Sequence, residues 1–263
     1  MAVQQIALVR RPSTRLAEGI VTHIDRVPVD VDLALAQHAA YCLALEDAGW
    51  QVRYVDPAPE HPDSVFVEDT VVVVGATAVI TRPGAHSRRG ETAGTEKALT
   101  DLGLEIVRIT EPGTLDGGDV LQVGRTVYVG RGGRTNGAGI RQLRAAVEPL
   151  GRVVVPVRLV DVLHLKSAVT ALPDGTFLAA AELLEPGVFP AGRPIREEAG
   201  CHVVPLAGDE VLISASAPET AQDLRDLGFS TRVVDISEFE KLEGCVTCLS
   251  VLITGDSGPG ERR

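Results

Sequence analysis

Short stretches of β-forming residues, separated by turn residues, recur along most of the chain. Three pairs flank Gly75-Ala76-Thr77, Gly124-Arg125-Thr126 and Pro173-Asp174-Gly175, and a weaker pair flanks residues 207–210. β-formers on both sides of a tight turn predict β-hairpins. The first three turns begin at residues 75, 124 and 173, which gives a constant interval of 49 residues. A fixed interval of that size indicates that one supersecondary unit is repeated.

The segments between the hairpins have helical or strand-like patterns. The pattern predicts helices at residues 30–48, 91–102, 136–150 and 218–227, and strands at residues 105–109, 153–157 and 231–234. The repeated unit is therefore hairpin, helix, strand. A fifth unit can be assembled from predicted strands at residues 5–9, 50–55 and 249–254. Joining them would close a ring without open sheet edges, and an ordinary open α/β sheet is the alternative.

Composition narrows the class of protein. The 263 residues are 44% hydrophobic and 23% charged, which is typical of a globular protein with a large core. Apolar runs are shorter than the ~20 residues that cross a bilayer, and residues 1–11 do not resemble a signal peptide, so we expect a cytoplasmic protein without a membrane partner. The net charge of −11 and the scattered basic residues argue against nucleic acid. This charge would suit a small cation, although solubility alone explains it.

Polar residues that could do chemistry fall at equivalent places in the repeat. Glu68-Asp69 precede the first hairpin, Asp116-Gly117-Gly118-Asp119 the second, His164 the third, and Cys248 the final predicted strand. Units arranged around an axis would bring these positions together at one end of the ring. Carboxylates, a histidine and a thiol in one place predict an active site.

Each cysteine also has a simpler interpretation. Cys245 and Cys248 form a CxxC, which can be a redox pair or half of a zinc site, but the chain has no second CxxC or CxxH. Uneven spacing of the four cysteines predicts free thiols. We interpret Cys42, Cys201 and Cys245 as inert buried thiols, the commonest fate of a cysteine.

The other polar candidates have alternatives of the same kind. His164 lies between two leucines and could be a core histidine, but its place in the repeat favours a functional role. Asp116 could be a turn residue or could orient the histidine, as in Cys–His–carboxylate catalysis. Arg88 and Arg134 follow the first and second hairpins at matching places, either as surface residues or as a clamp for a carboxylate.

These residues lie in stretches that closely resemble the dimethylarginine dimethylaminohydrolases, which belong to the guanidine-modifying superfamily. The matching stretches occur in the family's order at residues 62–69, 80–89, 115–120, 130–136, 162–166 and 246–252. The resemblance runs from near residue 5 to about residue 254. It implies a five-bladed α/β propeller (pentein) in a single catalytic domain, residues 1–255, and a flexible tail, residues 256–263.

The resemblance also implies a role for each matching residue. Cys248 is expected to be the nucleophile, His164 the general acid and base, and Asp116 the residue that orients His164. Glu68 and Asp69 would hold the guanidinium group of the substrate. The remaining substrate-binding residues would hold its carboxylate (Arg88, Arg134) and its amino-acid end (Asp63 and the backbone carbonyls of Ile20 and Leu242).

The activity implied by the resemblance is hydrolysis of Nω-methylated arginine to citrulline and dimethylamine or methylamine, through a covalent thiouronium on Cys248. No metal or organic cofactor is expected. The first alternative is an arginine deiminase, which releases ammonia, and an amidinotransferase is a further one. A binding protein without catalysis on the same scaffold is the alternative of another class. The expected partner is a small cationic amino acid, with a homodimer as one option.

Overall fold

The computed structural model describes residues 5–190, 192–193 and 195–254, which form fourteen strands and five α-helices. The strands are β1 Ile6–Val9, β2 Gln51–Tyr54, β3 Val71–Val74, β4 Thr77–Ile80, β5 Glu105–Arg108, β6 Val120–Val123, β7 Thr126–Arg131, β8 Val153–Arg158, β9 Val169–Ala171, β10 Phe177–Ala179, β11 Val203–Pro205, β12 Glu210–Ser214, β13 Ser230–Val234 and β14 Val251–Ile253. The helices are α1 Val31–Asp47, α2 Thr92–Asp101, α3 Gly137–Val147, α4 Pro218–Asp226 and α5 Ser237–Glu240. The predicted tail, residues 256–263, lies outside the described residues.

The strands form five small sheets. In three of them a hairpin is joined by a parallel third strand, in the orders β3-β4-β5, β6-β7-β8 and β11-β12-β13. A parallel neighbour requires a crossover, and α2, α3 and α4 provide it. The hairpin turns at Gly75 and Gly124 have φ angles of 58° and 55°, a region in which glycine is unstrained. The 49-residue interval thus marks a real structural repeat.

The fifth sheet joins the two ends of the described chain. β1 lies between β14 and β2, with Ile6 opposite Ile253 in the antiparallel pair and opposite Gln51 in the parallel pair. The predicted five-bladed α/β propeller is confirmed, and the open-sheet alternative is wrong. The fourth sheet contains only β9 and β10 among the described residues.

Helices α1 to α4 provide apolar side chains to the core around the sheets. Leu99 in α2, Leu143 in α3 and Leu224 in α4 are fully buried or nearly so. Asp30 caps the start of α1, because its carboxylate accepts the Leu33 N–H at 3.0 Å. Helix α5 was not predicted, and a helix of one turn has little periodicity to detect. Within the described ranges, no helix is long and apolar enough to cross a bilayer.

An axial cavity of about 530 Å³ lies inside the ring. Its walls include residues from β3, β6, β9, β11 and β14, one strand from each of the five sheets. Its polar lining includes the side chains of Glu68, Lys166 and Thr247. They belong to the segments that carry the candidate active site, so the cavity and the site share one layer of residues.

Candidate active site

Tight 3₁₀ turns before the inner strands position the polar residues of the site. They span Pro62–Val65, Val67–Thr70, Gly117–Asp119 and Leu165–Ser167. Two buried carboxylates link these turns from unit to unit. Asp69 accepts the Gly118 N–H at 2.9 Å, and Asp119 accepts the Leu165 N–H at 3.0 Å. The turns therefore lie at the same end of the ring, as the repeat predicted.

A small pocket at this end contains most of the predicted residues. It is lined by Ile20, Asp63, Phe66, Asp69, Arg88, Arg134, Leu163, His164, Leu242, Glu243, Gly244 and Cys248. Eight of the ten predicted residues are among them. Asp116 contacts the pocket through His164, and Glu68 lies elsewhere.

His164 and Asp116 form a buried pair behind the pocket. His164 Nε2 is 3.0 Å from Asp116 Oδ2, and the Gly84 N–H donates to Asp116 Oδ1 at 2.7 Å. His164 Nδ1 lies 3.8 Å from Asp69 Oδ1. Burial opposes the charged imidazole, but Asp69 and the hydrogen bond to Asp116 outweigh it and raise the pKa of His164 to about 9. The histidine is therefore an imidazolium at neutral pH and can donate a proton.

The same three side chains are also the described group that could hold a metal ion. One ligand atom from each of Asp69, Asp116 and His164 lies within 4.8 Å of the others. An imidazolium has no free lone pair for a metal, and the pKa of His164 is raised by these carboxylates. The group is thus better suited to proton transfer than to binding a cation.

Arg88 is buried within a network of ion pairs. Its guanidinium donates to Asp69 Oδ2 at 2.5 Å, to Glu91 Oε2 at 2.8 Å, and to the Asp63 and Phe66 carbonyls. Burial alone would raise the pKa of Asp69, but the charges of His164 and Arg88 outweigh it, so that pKa is lowered. Asp69 is therefore a fixed negative charge beside the pocket.

Arg134 is the more available of the two predicted carboxylate-binding residues. Its Nη1 lies 3.6 Å from Asp116 Oδ2, and its side chain is 12% exposed, against 5% for Arg88. Most donors of Arg88 already have protein partners, as described above. Direct contact with a substrate carboxylate is therefore easier for Arg134.

Two loops meet across the opposite side of the pocket. The Ile20 N–H donates to Asp63 Oδ1 at 2.9 Å. The Glu243 carboxylate accepts the N–H groups of Thr22 and His23, each at 2.7 Å. Glu243 follows Leu242 and was not predicted from the sequence. These bonds connect the early loop to the loop that leads to Cys248.

Known proteins resemble the chain over nearly its whole length. The curated N(G),N(G)-dimethylarginine dimethylaminohydrolase of Streptomyces coelicolor is 62% identical over 246 residues, which are 93% of this chain and 95% of that protein. The chain belongs to the dimethylarginine dimethylaminohydrolase family. A solved structure of the Pseudomonas aeruginosa family member, a Cys-to-Ser mutant complexed with citrulline, superposes with a TM-score of 0.87. It is 34% identical, and the match covers 96% of this chain and 100% of that one.

A more distant protein shares the fold. The N-terminal domain of a cyanobacterial arginine dihydrolase is 20% identical and has a TM-score of 0.85 over 96% of this chain and 98% of that domain. No protein-family model matches the chain. The sequence-based identification of the dimethylarginine dimethylaminohydrolase family is thus confirmed by the curated relatives.

Glu68 lies outside the small pocket, although Asp69, the other residue expected to hold the guanidinium group, lines it. The Glu68 carboxylate faces Lys166 Nζ at 2.5 Å and Thr247 Oγ1 at 3.0 Å, and it lines the axial cavity instead of the pocket. Burial raises the pKa of Glu68 to about 7, although Lys166 opposes the rise. Because Glu68 and Asp69 are consecutive in one 3₁₀ turn, their side chains diverge. A contact of Glu68 with the guanidinium group of the substrate stays a prediction.

Cys245 is a buried free thiol, as we interpreted it, but it contacts Cys248 directly. Its Sγ lies 3.3 Å from Cys248 Sγ and 3.3 Å from Thr247 Oγ1. The hydrogen bond between the two thiols, with burial, raises the pKa of Cys248, and the negative charges of Glu68 and Asp69 add to it. In the unliganded protein these interactions therefore favour the thiol form of Cys248.

Proposed function

We propose that this chain hydrolyses Nω-methylated arginine to citrulline and dimethylamine or methylamine, through a covalent intermediate on Cys248. The main support is a pocket that contains the thiol of Cys248, the carboxylate of Asp69 and His164, whose Nε2 lies 3.0 Å from the buried Asp116. The curated relative and the citrulline-bound neighbour support the same chemistry. An arginine deiminase would need the same residues and is the second candidate.

The charges in the pocket suit an arginine-like molecule. We place the guanidinium cation beside Asp69, which also faces His164. The substrate carboxylate would then meet Arg134, whose guanidinium can bind it bidentately, with Arg88 contributing positive potential behind it. Asp63 and the backbone near Ile20 and Leu242 line the remaining part of the pocket and would hold the α-amino group.

Substrate binding activates the nucleophile. A cation in contact with Cys248 offsets the negative charges that hold its proton, so the thiol releases that proton to solvent and becomes a thiolate. The thiolate attacks the guanidinium carbon and forms a carbon–sulfur bond. As the carbon–nitrogen bond to the methylated nitrogen breaks, His164 donates its proton to the departing amine. Asp116 keeps the imidazole oriented throughout.

In the second half of the reaction, His164 acts as a general base. The neutral imidazole takes a proton from water, and the hydroxide attacks the carbon of the thiouronium. The carbon–sulfur bond then breaks, which releases citrulline and the Cys248 thiolate. Until the hydroxide attacks, Asp69 stabilises the positive charge of the thiouronium.

The test is citrulline release from asymmetric dimethylarginine, monomethylarginine and arginine. We expect the wild type to prefer the methylated substrates, and Cys248→Ser to lose more than about a thousandfold in turnover because a hydroxyl is a poor nucleophile here. Cys42→Ser is the matched control, since Cys42 lies on the buried face of α1 next to His38 and outside the pocket. Full turnover by Cys248→Ser would contradict the mechanism, and a preference for arginine would favour the deiminase.

Three broader predictions belong to the same proposal. We propose one catalytic domain over residues 1–255, a cytoplasmic location and a homodimer. The four cysteines are all free thiols, which supports a reducing compartment. Sedimentation of the purified chain tests the dimer, and a monomer at micromolar concentration would exclude it.

A further inference from the structure

The contact between the two thiols of the CxxC has no part in the proposed mechanism. Cys245 Sγ is 3.3 Å from Cys248 Sγ, and both residues are buried. The other two thiols lie apart from this pair, since Cys42 contacts His38 and Cys201 contacts the carbonyls of Ser167 and Glu198. The nucleophile therefore has one specific sulfur neighbour.

The backbone around the pair already has the shape that a disulfide needs. The Cys248 N–H donates to the Cys245 carbonyl at 3.1 Å, which closes a turn of four residues. Such a turn keeps its end Cα atoms within about 7 Å, and a disulfide requires about 4.4–6.8 Å between them. The Tyr41 hydroxyl also donates to the Val246 carbonyl at 2.8 Å and fixes the middle of the turn.

The two sulfurs differ in what they face. Cys248 lines the substrate pocket, so a small oxidant that enters the pocket meets it first. Cys245 does not line that pocket, and its Sγ lies 3.3 Å from the Thr247 hydroxyl. The pKa of Cys245 is lowered, chiefly by the hydrogen bond with Cys248 and, against burial, by the positive charge of His202. Cys245 is thus a buried residue whose thiolate form is stabilised, and it lies directly behind Cys248.

We propose that Cys245 is the resolving partner of Cys248 and that peroxide converts the pair into a reversible disulfide that protects the nucleophile from further oxidation. This proposal rests on the assignment of Cys248 as the nucleophile. It adds a modification site to the proposed function, with hydrogen peroxide as the oxidant and a dithiol as the reductant.

The chemistry has two steps. Either sulfur can donate the hydrogen bond between them, and when the proton rests on Cys245 the Cys248 thiolate attacks one oxygen of hydrogen peroxide, the oxygen–oxygen bond breaks, and hydroxide leaves behind a sulfenic acid. The Cys245 thiolate then attacks the Cys248 sulfur, the sulfur–oxygen bond breaks, and the hydroxide leaves as water with the proton that Cys245 gave up. The pair loses two electrons, which the peroxide accepts. A dithiol returns both residues to thiols by exchange.

The experiment treats the full-length enzyme with excess hydrogen peroxide. We expect the peptide that contains both cysteines to lose two hydrogens in mass and the citrulline-forming activity to fall. Dithiothreitol should restore most of the activity. Asymmetric dimethylarginine should slow the inactivation, because it occupies the pocket in front of Cys248.

Two variants distinguish disulfide formation with Cys245 from direct oxidation of Cys248 alone. In Cys245→Ser, peroxide should add two or three oxygens to Cys248, and the fraction of its own starting activity recovered by dithiothreitol should be at least about tenfold lower than in the wild type. Cys42→Ser, which removes a distant thiol, should recover like the wild type. Cys245→Ala serves as a second variant if serine prevents folding.

Two results would overturn the proposal. One is a wild-type peptide in which Cys248 carries added oxygens without a link to Cys245. The other is equal recovery in Cys245→Ser and the wild type. The peptide masses are read without substrate, so a chain that fails to hydrolyse methylarginines can still form the disulfide, and the two failures remain distinguishable.

Discussion

Two adjacent acids, Glu68 and Asp69, occupy the two sides of the layer between the axial cavity and the substrate pocket. Asp69 is held by Arg88, the Gly118 N–H and the charge of His164, so its pKa is lowered. Glu68 faces one lysine and one hydroxyl, and burial raises its pKa to about 7. The side chain of Asp69 is 3% exposed and that of Glu68 is 12% exposed, so burial alone would raise the pKa of Asp69 at least as much as that of Glu68.

The difference shows that the number of compensating partners decides whether a buried carboxylate keeps its charge. Asp69 has two cations and a backbone donor, enough to exceed the cost of desolvation. Glu68 has one cation, and its pKa lies near neutrality. The pocket side therefore provides a constant negative charge for a cationic substrate, while the cavity side can exchange a proton.

Asp69→Asn should have the largest effect. The change leaves Arg88 and His164 without their shared counter-charge and removes the carboxylate we place beside the guanidinium. We expect citrulline formation to fall by more than about a thousandfold, and the free energy of unfolding by about 3–5 kcal/mol. Steady-state kinetics and urea unfolding measure both. The matched variant Glu68→Gln should lose far less activity and stability. Equal losses in the two variants would contradict the proposed difference between the two carboxylates.

The pH profile of the wild type should report His164. Its pKa of about 9 in the unliganded protein lies above the ordinary 6.5, and the positive charge of a bound substrate lowers it, so kcat should fall about tenfold per pH unit above a pKa at or below about 9, as the general acid loses its proton. The same shift contributes stability that is complete below pH 6.5 and is lost as the pH rises through 9. Activity and urea unfolding from pH 6 to 10 test this. A kcat that is flat above pH 9 would exclude His164 as the acid.

Glu68→Gln should show that the pKa of Glu68 is shifted in the direction opposite to that of Asp69. The folded protein binds the Glu68 proton more tightly than the unfolded chain, so this group costs stability as the pH rises from 4.5 to about 7. The glutamine variant does not ionise. Its free energy of unfolding relative to the wild type should therefore increase with pH across that window. A constant difference would mean that Glu68 keeps its charge as Asp69 does.

Glu243→Gln should have the smallest effect. The change removes the charge from a carboxylate that accepts two backbone N–H groups of the early loop, but these bonds are exposed and the glutamine oxygen can still accept one of them. We expect KM for asymmetric dimethylarginine to rise a few fold with kcat nearly unchanged, because the loop orders the binding side of the pocket. A fall in kcat alone would place Glu243 in the chemical step.

Much of this architecture could be predicted because the sequence repeats. The constant interval located the hairpins around Gly75 and Gly124, and it placed Asp69, Asp116, His164 and Cys248 at one end of the ring before any geometry was known. The pairing of β1 with β14 followed from the need to remove open edges. The propeller and the convergence of the polar residues were therefore accessible to pattern analysis.

The directions of individual side chains were not predictable in the same way. Periodicity assigns faces in helices and strands, but Glu68 and Asp69 lie in a 3₁₀ turn of four residues, where no long pattern separates one side from the other. The contact of Cys245 with Cys248 depends on the closed turn between them. Lys166 and Glu243 are single charges in loops, so their partners appear only in three dimensions.

The pairing of β14 with β1 also orders events during synthesis of the protein. Cys248 stands three residues before β14, and that strand docks on β1, which leaves the ribosome more than two hundred residues earlier. Nine of the ten predicted site residues precede the nucleophile in the chain. A nascent chain interrupted before Cys248 would carry those nine without the pocket thiol. Thiol chemistry at the pocket thus begins only when the ring closes, and unfinished chains carry no reactive cysteine in a formed pocket.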